Sequence, residues 1–313
     1  MSFSSKVKEE LSRQISSARH CQIAEAAAVF RMCGKIVTDA DGQYQMVVRI
    51  ENPSVARKFS ILLKRSFHVE PEVVIRGGIH TFTLGKQEEL FRILQAMKLV
   101  DEKGEPEERQ DFVNSMIVQS SCCRRAFIRG AFLAGGSISN PEKSYHLEIV
   151  CSNEEKALQL QRLIASFNID AKIVLRKKYF VLYIKEGSQI VDMLGVMEAH
   201  ISLMDLENVR ILKEMRGTVN RKVNCETANI NKTVSAAVEQ INDILYIRDR
   251  IGFDKLPESL QEIAFARLEQ PEATLKELGD SLNPPVGKSG VNHRLRKLKE
   301  LAGVLREDEE ESL

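Results

Sequence analysis

"RGAFLAGGSI", residues 129–138, reads as the end of a helix built from small and apolar residues, then two glycines, then a β-like start at Gly136-Ser137-Ile138. Gly130 and Ala134 lie four residues apart and therefore on one helix face, where the absence of large side chains lets a second backbone approach closely. A partner of the same kind lies earlier in the chain. "CQIAEAAAVFRMCG" (21–34) is helix-like, carries Ala24 and Ala28 on one face, and runs into the β-like "KIV".

The likeness extends outward from both stretches. After the first, "KIVTDADGQYQMVVRIEN" gives two β-like runs around Asp41-Gly42, a hairpin signal. "PSVARKFSILLKRSFH" (53–68) has helical periodicity with Pro53 at the first helical position. "PEVVIRG" and "IHTFTLG" form a second hairpin turning at Gly77-Gly78, and "KQEELFRILQAMKLV" closes the unit as a helix. About 102 residues later the order returns: "CCRRAFIRGAFLAGG", the hairpin "GSISNPEKSYHLEIVCS", the helix "NEEKALQLQRLIASFNI", the hairpin "AKIVLRKKYFVLYIKEG" and the helix "SQIVDMLGVMEAH". The charged "DEKGEPEERQ" (101–110) separates the halves, and an opening helix to about residue 18 precedes them. One αββαββα unit written twice predicts two antiparallel sheets related by a pseudo-twofold axis. From about 201 to 249 the pattern is helical, "GFDKLP" interrupts it, and three short helices follow over about 257–303. The fold class is therefore α+β, a duplicated αββαββα body followed by an all-α domain. The boundaries read as 1–105, 106–217 and 218–305, with an acidic tail at 306–313 expected to be disordered.

Bulk properties narrow the class of function. The 313 residues suffice for two or three domains with their own cores, and 43% hydrophobic with 28% charged residues describes an ordinary globular chain. The start, "MSFSSKVKEELSRQ", has no apolar core of a secretion signal, and no stretch approaches 18 uninterrupted apolar residues. A cytoplasmic location and no membrane partner are expected. Six scattered cysteines fit reduced thiols rather than a disulfide framework. The adjacent pair Cys122 and Cys123 has no CxxC and no spaced histidines, so it reads as structural thiols, and no metal site or cofactor is expected.

"ATLKELGDSLNPPVGKSGVNHRLRKLKELAGVL" carries the sharpest functional signal. Thr274 and Glu277 make a capping box that starts a helix at "LKELGDSL", and "NPPVG" ends it. Ser289 is placed to cap the next helix, which is expected to reach about Leu301. Val291, Leu295, Leu298 and Ala302 form its inward stripe, and the other face carries Asn292, His293, Arg296 and Lys297. Between 286 and 306 six basic residues stand against one acid, Glu300, a local net charge of +5. A helix buried on one side and this basic on the other fits the recognition helix of a helix-turn-helix in a DNA major groove. Base reading falls to Ser289, Asn292, His293 and Arg296; Lys288, Arg294, Lys297 and Lys299 are expected on phosphates. "GKS" (287–289) is no phosphate loop, because the first glycine of that pattern is Leu282 here. The segment 213–232, net +3 and rich in Asn and Thr, adds Arg221 and Lys222 as candidate phosphate contacts. The hairpin "LRKKYFVLYIK" adds Arg176, Lys177, Lys178 and Lys185, which serve equally as DNA contacts or as a solvated turn.

The duplicated unit with "FIRGAFLAGGSI" resembles the LAGLIDADG homing endonucleases. Together with "MRGTVNRKVNCETANINKT" and the C-terminal stretch, roughly residues 3–305 resemble the WhiA family of bacterial sporulation and cell-division regulators. "TLKELG" is also similar to the opening of region 4 of sigma factors. The endonuclease resemblance implies one carboxylate at the foot of each motif helix to hold Mg²⁺. Aligning "CGKI" and "GGSI" on that pattern puts Cys33 and Gly135 at the two metal positions, and neither is an acid. Asp39 and Asp41 fall beyond the helix foot, near a turn. The WhiA resemblance implies a double-stranded DNA partner, transcription or cell-division proteins as further partners, a nucleoid-associated location, and roles in transcriptional control, chromosome segregation or sporulation. The expectation is a non-catalytic, sequence-specific DNA-binding protein. The alternatives are a divalent-metal endonuclease with unconventional ligands and a protein-interaction scaffold.

Overall fold

A computed structural model describes residues 1–101, 103–106 and 112–310. Helix α1 (Phe3–Arg13) precedes the first αββαββα unit: α2 (Arg19–Cys33), β1 (Gly34–Thr38), β2 (Tyr44–Ile50), α3 (Pro53–Phe67), β3 (Glu72–Arg76), β4 (Ile79–Leu84) and α4 (Gln87–Ala96). The second unit is α5 (Ser121–Gly135), β5 (Gly136–Ile138), β6 (Leu147–Cys151), α6 (Glu154–Ala165), β7 (Lys172–Arg176), β8 (Tyr179–Ile184) and α7 (Gly187–Met197). Both sheets are antiparallel and share one strand order, β1-β2-β4-β3 and β5-β6-β8-β7. The duplication inferred from sequence is therefore present strand for strand. Both halves contribute to one hydrophobic core within a compact unit spanning Met1–Lys213.

Local chemistry explains the punctuation. Asn52 caps α3 by accepting from the backbone N–H groups of Ser54 and Val55, with Pro53 at the first helical position. Gly77 and Gly78 both take positive φ in the β3–β4 turn, as a tight hairpin requires. In the β7–β8 turn that place falls to Lys177, whose φ of 56° is rare for a side-chain-bearing residue. The Asp41-Gly42 turn is wider than two residues, because the Asp39 carboxylate accepts from the N–H groups of Asp41 (3.0 Å) and Gln43 (2.8 Å) and organises a loop between β1 and β2. The opening helix stops at Arg13 rather than near residue 18. Of the expected 101–110 linker, residues 102 and 107–110 lie outside the described residues.

The centre of the body is the packing of α2 against α5. A Cβ on Gly130 would sit 2.5 Å from the Glu25 carbonyl oxygen and 2.9 Å from the Ala28 Cβ, so only glycine allows this approach. Beside it lies a buried ionic cluster. Arg129 on α5 donates through Nε and Nη2 to both carboxylate oxygens of Glu25 on α2, each at 3.1 Å, and through Nη1 to Glu198 at 2.7 Å. Lys58 of α3 completes it, pairing with Glu25 and donating to the Leu11 carbonyl at 2.7 Å. Glu25, Lys58 and Arg129 are all essentially inaccessible to solvent. Burial pulls the Lys58 amine down to about 8, against the opposing pull of Glu25.

The second compact unit, Glu214–Leu313, is described by itself. Its first element is the latter part of α8 (His200–Ile251), one helix of 52 residues. A 3-10 turn, Phe253–Lys255, leads to α9 (Glu258–Glu269), α10 (Leu275–Ser281) and α11 (Lys288–Glu310). Helix α11 outruns its expected end at Leu301 because its later turns dock on α8. The Tyr246 hydroxyl donates to the Leu305 carbonyl at 3.3 Å, and Arg306 pairs with Asp243 at 2.8 Å. The backbone of 306–310 is thus helical, contrary to the expectation of disorder; residues 311–313 lie outside the described residues.

Glu25→Gln removes the anion from two buried cations and is expected to cost about 3–5 kcal/mol in urea unfolding. Lys58→Met is expected to cost less, because Glu25 keeps its two-pronged pair with Arg129. The folded chain binds fewer protons on Lys58 than the unfolded chain between its folded value near 8 and the ordinary 10.5. That group therefore makes stability rise with pH through this window, and Lys58→Met should flatten the rise. Unfolding free energies of both proteins at the two ends of the window check the sign. Gly130→Val is expected to destabilise by at least about 1–3 kcal/mol, since the carbonyl it meets belongs to helix backbone and cannot turn aside.

Candidate nucleic-acid interface

The helix-turn-helix is assembled from short-range rules. The Thr274 side chain accepts from the Glu277 N–H at 3.3 Å, and the Glu277 carboxylate accepts from the Thr274 N–H at 2.7 Å, giving the expected capping box. These hydrogen bonds hold the Glu277 carboxyl below its ordinary value. The following turn folds tightly onto α10. Val286 N–H donates to the Gly279 carbonyl at 2.9 Å, and the Val286 carbonyl oxygen lies 2.0 Å from where a Cβ on Gly279 would be. Helix α11 then begins at Lys288. The Val291 N–H donates to the Gly287 carbonyl, so Gly287 holds the capping position and Ser289 lies inside the first turn. The expectation that Ser289 caps the helix is corrected, because the helix begins two residues earlier, on the Gly287 carbonyl.

Val291, Leu295, Leu298 and Ala302 are buried with Ile244, Ile247, Leu260, Ile263 and Leu278 in one core. That seating turns Ser289, Asn292, His293 and Arg296 into solvent, together with Lys288 and Lys297. Two of the expected phosphate contacts have other work within the unit. Arg294 is only partly exposed and donates to the Ser259 carbonyl at 3.2 Å and to Glu262 at 3.3 Å, bracing α11 on α9. Lys299 donates to Glu239 of α8 at 2.6 Å, which raises its pKa through that hydrogen bond. Arg296 makes an exposed i,i+4 pair with Glu300 at 3.3 Å. Lys288 and Lys297 have no ion pair among the described residues. Arg221 and Lys222 are exposed on α8.

On the other unit, Arg176, Lys177, Lys178 and Lys185 are exposed on and beside the β7–β8 hairpin. Arg176 lies 3.5 Å from Glu148, while Lys178 and Lys185 sit over the rings of Tyr179 and Tyr183. At the feet of the central helices the two aligned metal positions are filled by packing. The Cys33 thiol donates to the Val29 carbonyl at 3.1 Å, and burial pushes it up to about 12 despite the nearby cations Lys156 and Lys8. Gly135 is filled over by the Met32 methyl, 2.5 Å from where a Cβ would be. The Asp39 carboxylate is spent on its turn, as the hydrogen bonds above show.

The opposite ends of the same helices hold a grouping that sequence spacing did not suggest. His20 and Cys21 of α2 meet Cys122 and Cys123 of α5, with one ligand atom from each within 4.8 Å of every other. Cys122 and Cys123, read from the sequence as structural thiols, thus have two further donor side chains beside them, brought from the other half of the repeat. Of that pair Cys123 is buried and Cys122 is exposed. The available signal was the 102-residue offset, which superposes His20-Cys21 on Cys122-Cys123.

Comparison with known proteins places these features together. The profile of the WhiA N-terminal LAGLIDADG-like domain matches residues 19–81, that of the WhiA LAGLIDADG-like domain 124–216, and that of the WhiA C-terminal HTH domain 219–302. A probable cell division protein WhiA from Lachnoclostridium phytofermentans is 55% identical, over 98% of this chain and 100% of its own length. The chain belongs to the WhiA family. A second WhiA relative, from Alkaliphilus oremlandii, is 48% identical over 98% of each chain. The crystal structure of full-length DUF199/WhiA from Thermatoga maritima is 26% identical, with a TM-score of 0.58 over 97% of this chain and 98% of that one. The two-sheet body and the C-terminal helical region are thus the WhiA architecture. Among the described residues no helix is long and apolar enough to cross a membrane.

Two positions test the construction of this WhiA helix-turn-helix. Thr274→Ala is expected to cost about 1 kcal/mol by loss of the cap. Gly279→Ala should cost more, because its methyl would displace the turn that sets the start of α11. Denaturant unfolding of the full chain, followed in the transition of the C-terminal unit, ranks the two.

Proposed function

We propose that the chain is a non-catalytic, sequence-specific double-stranded DNA-binding regulator that reads its site with α11. The observation that carries this reading is the row Ser289, Asn292, His293 and Arg296, exposed on a helix whose opposite row is buried. Asn pairs bidentately with adenine and Arg with guanine, and each such pair contributes about 1–3 kcal/mol of discrimination. Lys288 and Lys297 serve phosphates from either side of that row, with Arg221 and Lys222 on α8 as further contacts. Arg294 and Lys299 join them on DNA only by giving up Glu262 and Glu239, so their first task is to hold α11 in place. The hairpin cations Arg176, Lys177, Lys178 and Lys185 are a secondary surface, for DNA or for a protein.

The non-catalytic part rests on the foot positions. Mg²⁺ requires hard oxygen ligands, and a protonated thiol and a glycine covered by a methionine methyl supply none. The relatives' name, probable cell division protein, suggests the biological setting: transcriptional control in the cytoplasm, on the nucleoid, linked to division, chromosome segregation or sporulation.

Binding to specific and random duplexes across a salt series tests the reading. Arg296→Ala is expected to relax preference at one base position, and Lys297→Ala to weaken all sequences alike and reduce the salt slope by about one. Identical behaviour of the two variants would overturn the division of roles, and equal affinity for both duplexes would favour a scaffold. Plasmid incubated with Mg²⁺ or Mn²⁺ is expected to stay intact; cutting that a chelator abolishes would establish an endonuclease instead.

A further inference from the structure

His20, Cys21, Cys122 and Cys123 lie far along the chain from the DNA-facing helix, at the N-terminal ends of α2 and α5, and the helix-turn-helix makes no use of them. We infer that these four side chains form a structural zinc site that fastens the two halves of the repeat to each other across the pseudo-twofold axis.

The donor set is the first argument. Three thiols and one imidazole are the soft, mixed S/N ligands that zinc takes in closed tetrahedral sites. The distances are the second. His20 Nδ1 lies 3.0 Å from Cys123 Sγ and 3.4 Å from Cys21 Sγ, and all four ligand atoms lie within 4.8 Å of one another. Tetrahedral zinc with bonds of about 2.0–2.3 Å holds its ligand atoms roughly 3.5–3.8 Å apart. The two contacts of His20 already lie at or inside that spacing, and the 4.8 Å limit on all four atoms exceeds it by only about 1 Å.

Placement is the third argument. Each ligand occupies the first turn of a helix, where the positive end of the helix dipole favours thiolate. Cys21 and Cys123 are buried while His20 and Cys122 reach solvent, which leaves an open side for an ion to enter. Binding of Zn²⁺ then releases the thiol protons to solvent, so affinity falls as pH falls.

The test uses the full chain, purified under reducing conditions from zinc-supplemented cells. Elemental analysis is expected to find about one zinc per chain, and Co²⁺ substitution to give the thiolate charge-transfer and tetrahedral d–d bands of an S₃N site. Cys122→Ser and His20→Gln alter solvent-reaching side chains, so both should fold, as circular dichroism verifies. Each should lower zinc affinity by more than the ~10–100-fold that loss of a ligand's hydrogen-bond partner costs. A chain without zinc whose Co²⁺ complex shows only octahedral bands would overturn the proposal. So would unchanged zinc content in both variants, which would put the metal elsewhere. A mass deficit of two hydrogens in the non-reduced protein, mapped to a bond between Cys21 and Cys122 or Cys123, would replace the zinc site with a disulfide.

Discussion

The close approach of α2 and α5 is the constraint on which the rest of the body depends. It exists because residue 130 has no side chain and residue 28 has one methyl group, so two helix backbones meet where ordinary residues would hold them apart. Those two residues are separated by the same 102 positions as the repeat itself, so the contact joins equivalent points of the two halves. Once the helices are set, each sheet follows directly from its helix end, β1 from Gly34 and β5 from Gly136.

The ionic cluster beside this contact gives the near-symmetric body a direction. Glu25 on α2 finds Arg129 on α5, but the position equivalent to Glu25 in the second half is Phe127. Two identical halves would bring like groups together at such a place; a fused duplication can set an acid against a base. Burying three charges costs several kcal/mol per ion before pairing, and pairing with extra hydrogen bonds to the Leu11 and Met197 carbonyls offsets it. The cluster therefore acts mainly on specificity. It penalises any register of the two helices that separates Glu25 from its cations.

Much of this was legible in the sequence, for identifiable reasons. Strand and helix order follow from periodicity and turn residues, which are local, and the repeat confirms each half by the other. The buried stripe Val291, Leu295, Leu298 and Ala302 was legible because spacing alone fixes a helix face. What escaped depends on contacts distant in sequence. The pairing of Arg294 with Glu262 and of Lys299 with Glu239 makes braces of residues that composition marks only as basic. The start of α11 at Lys288 depends on the Val286 carbonyl filling the space above Gly279, which no spacing rule contains. His20 and Cys21 looked unremarkable until the fold set them beside Cys122 and Cys123.

The body also separates what holds it together from what a metal-dependent nuclease would need. The packing residues Gly130 and Ala28 lie within the helices, whereas Cys33 and Gly135 are the last residues before the strands. The helix contact therefore does not depend on which residues stand at the feet. Restoring the ion would take more than restoring an acid. An Asp at position 135 would drive its Cβ into the Met32 methyl and bring its carboxylate near the Val150 carbonyl oxygen, itself only 3.0 Å from that Cβ. At position 33 an acid would meet the field of Lys8 and Lys156, which competes with a divalent cation for the same carboxylate. At the feet, Cys33 and Met32 pack against the core rather than opening toward an ion.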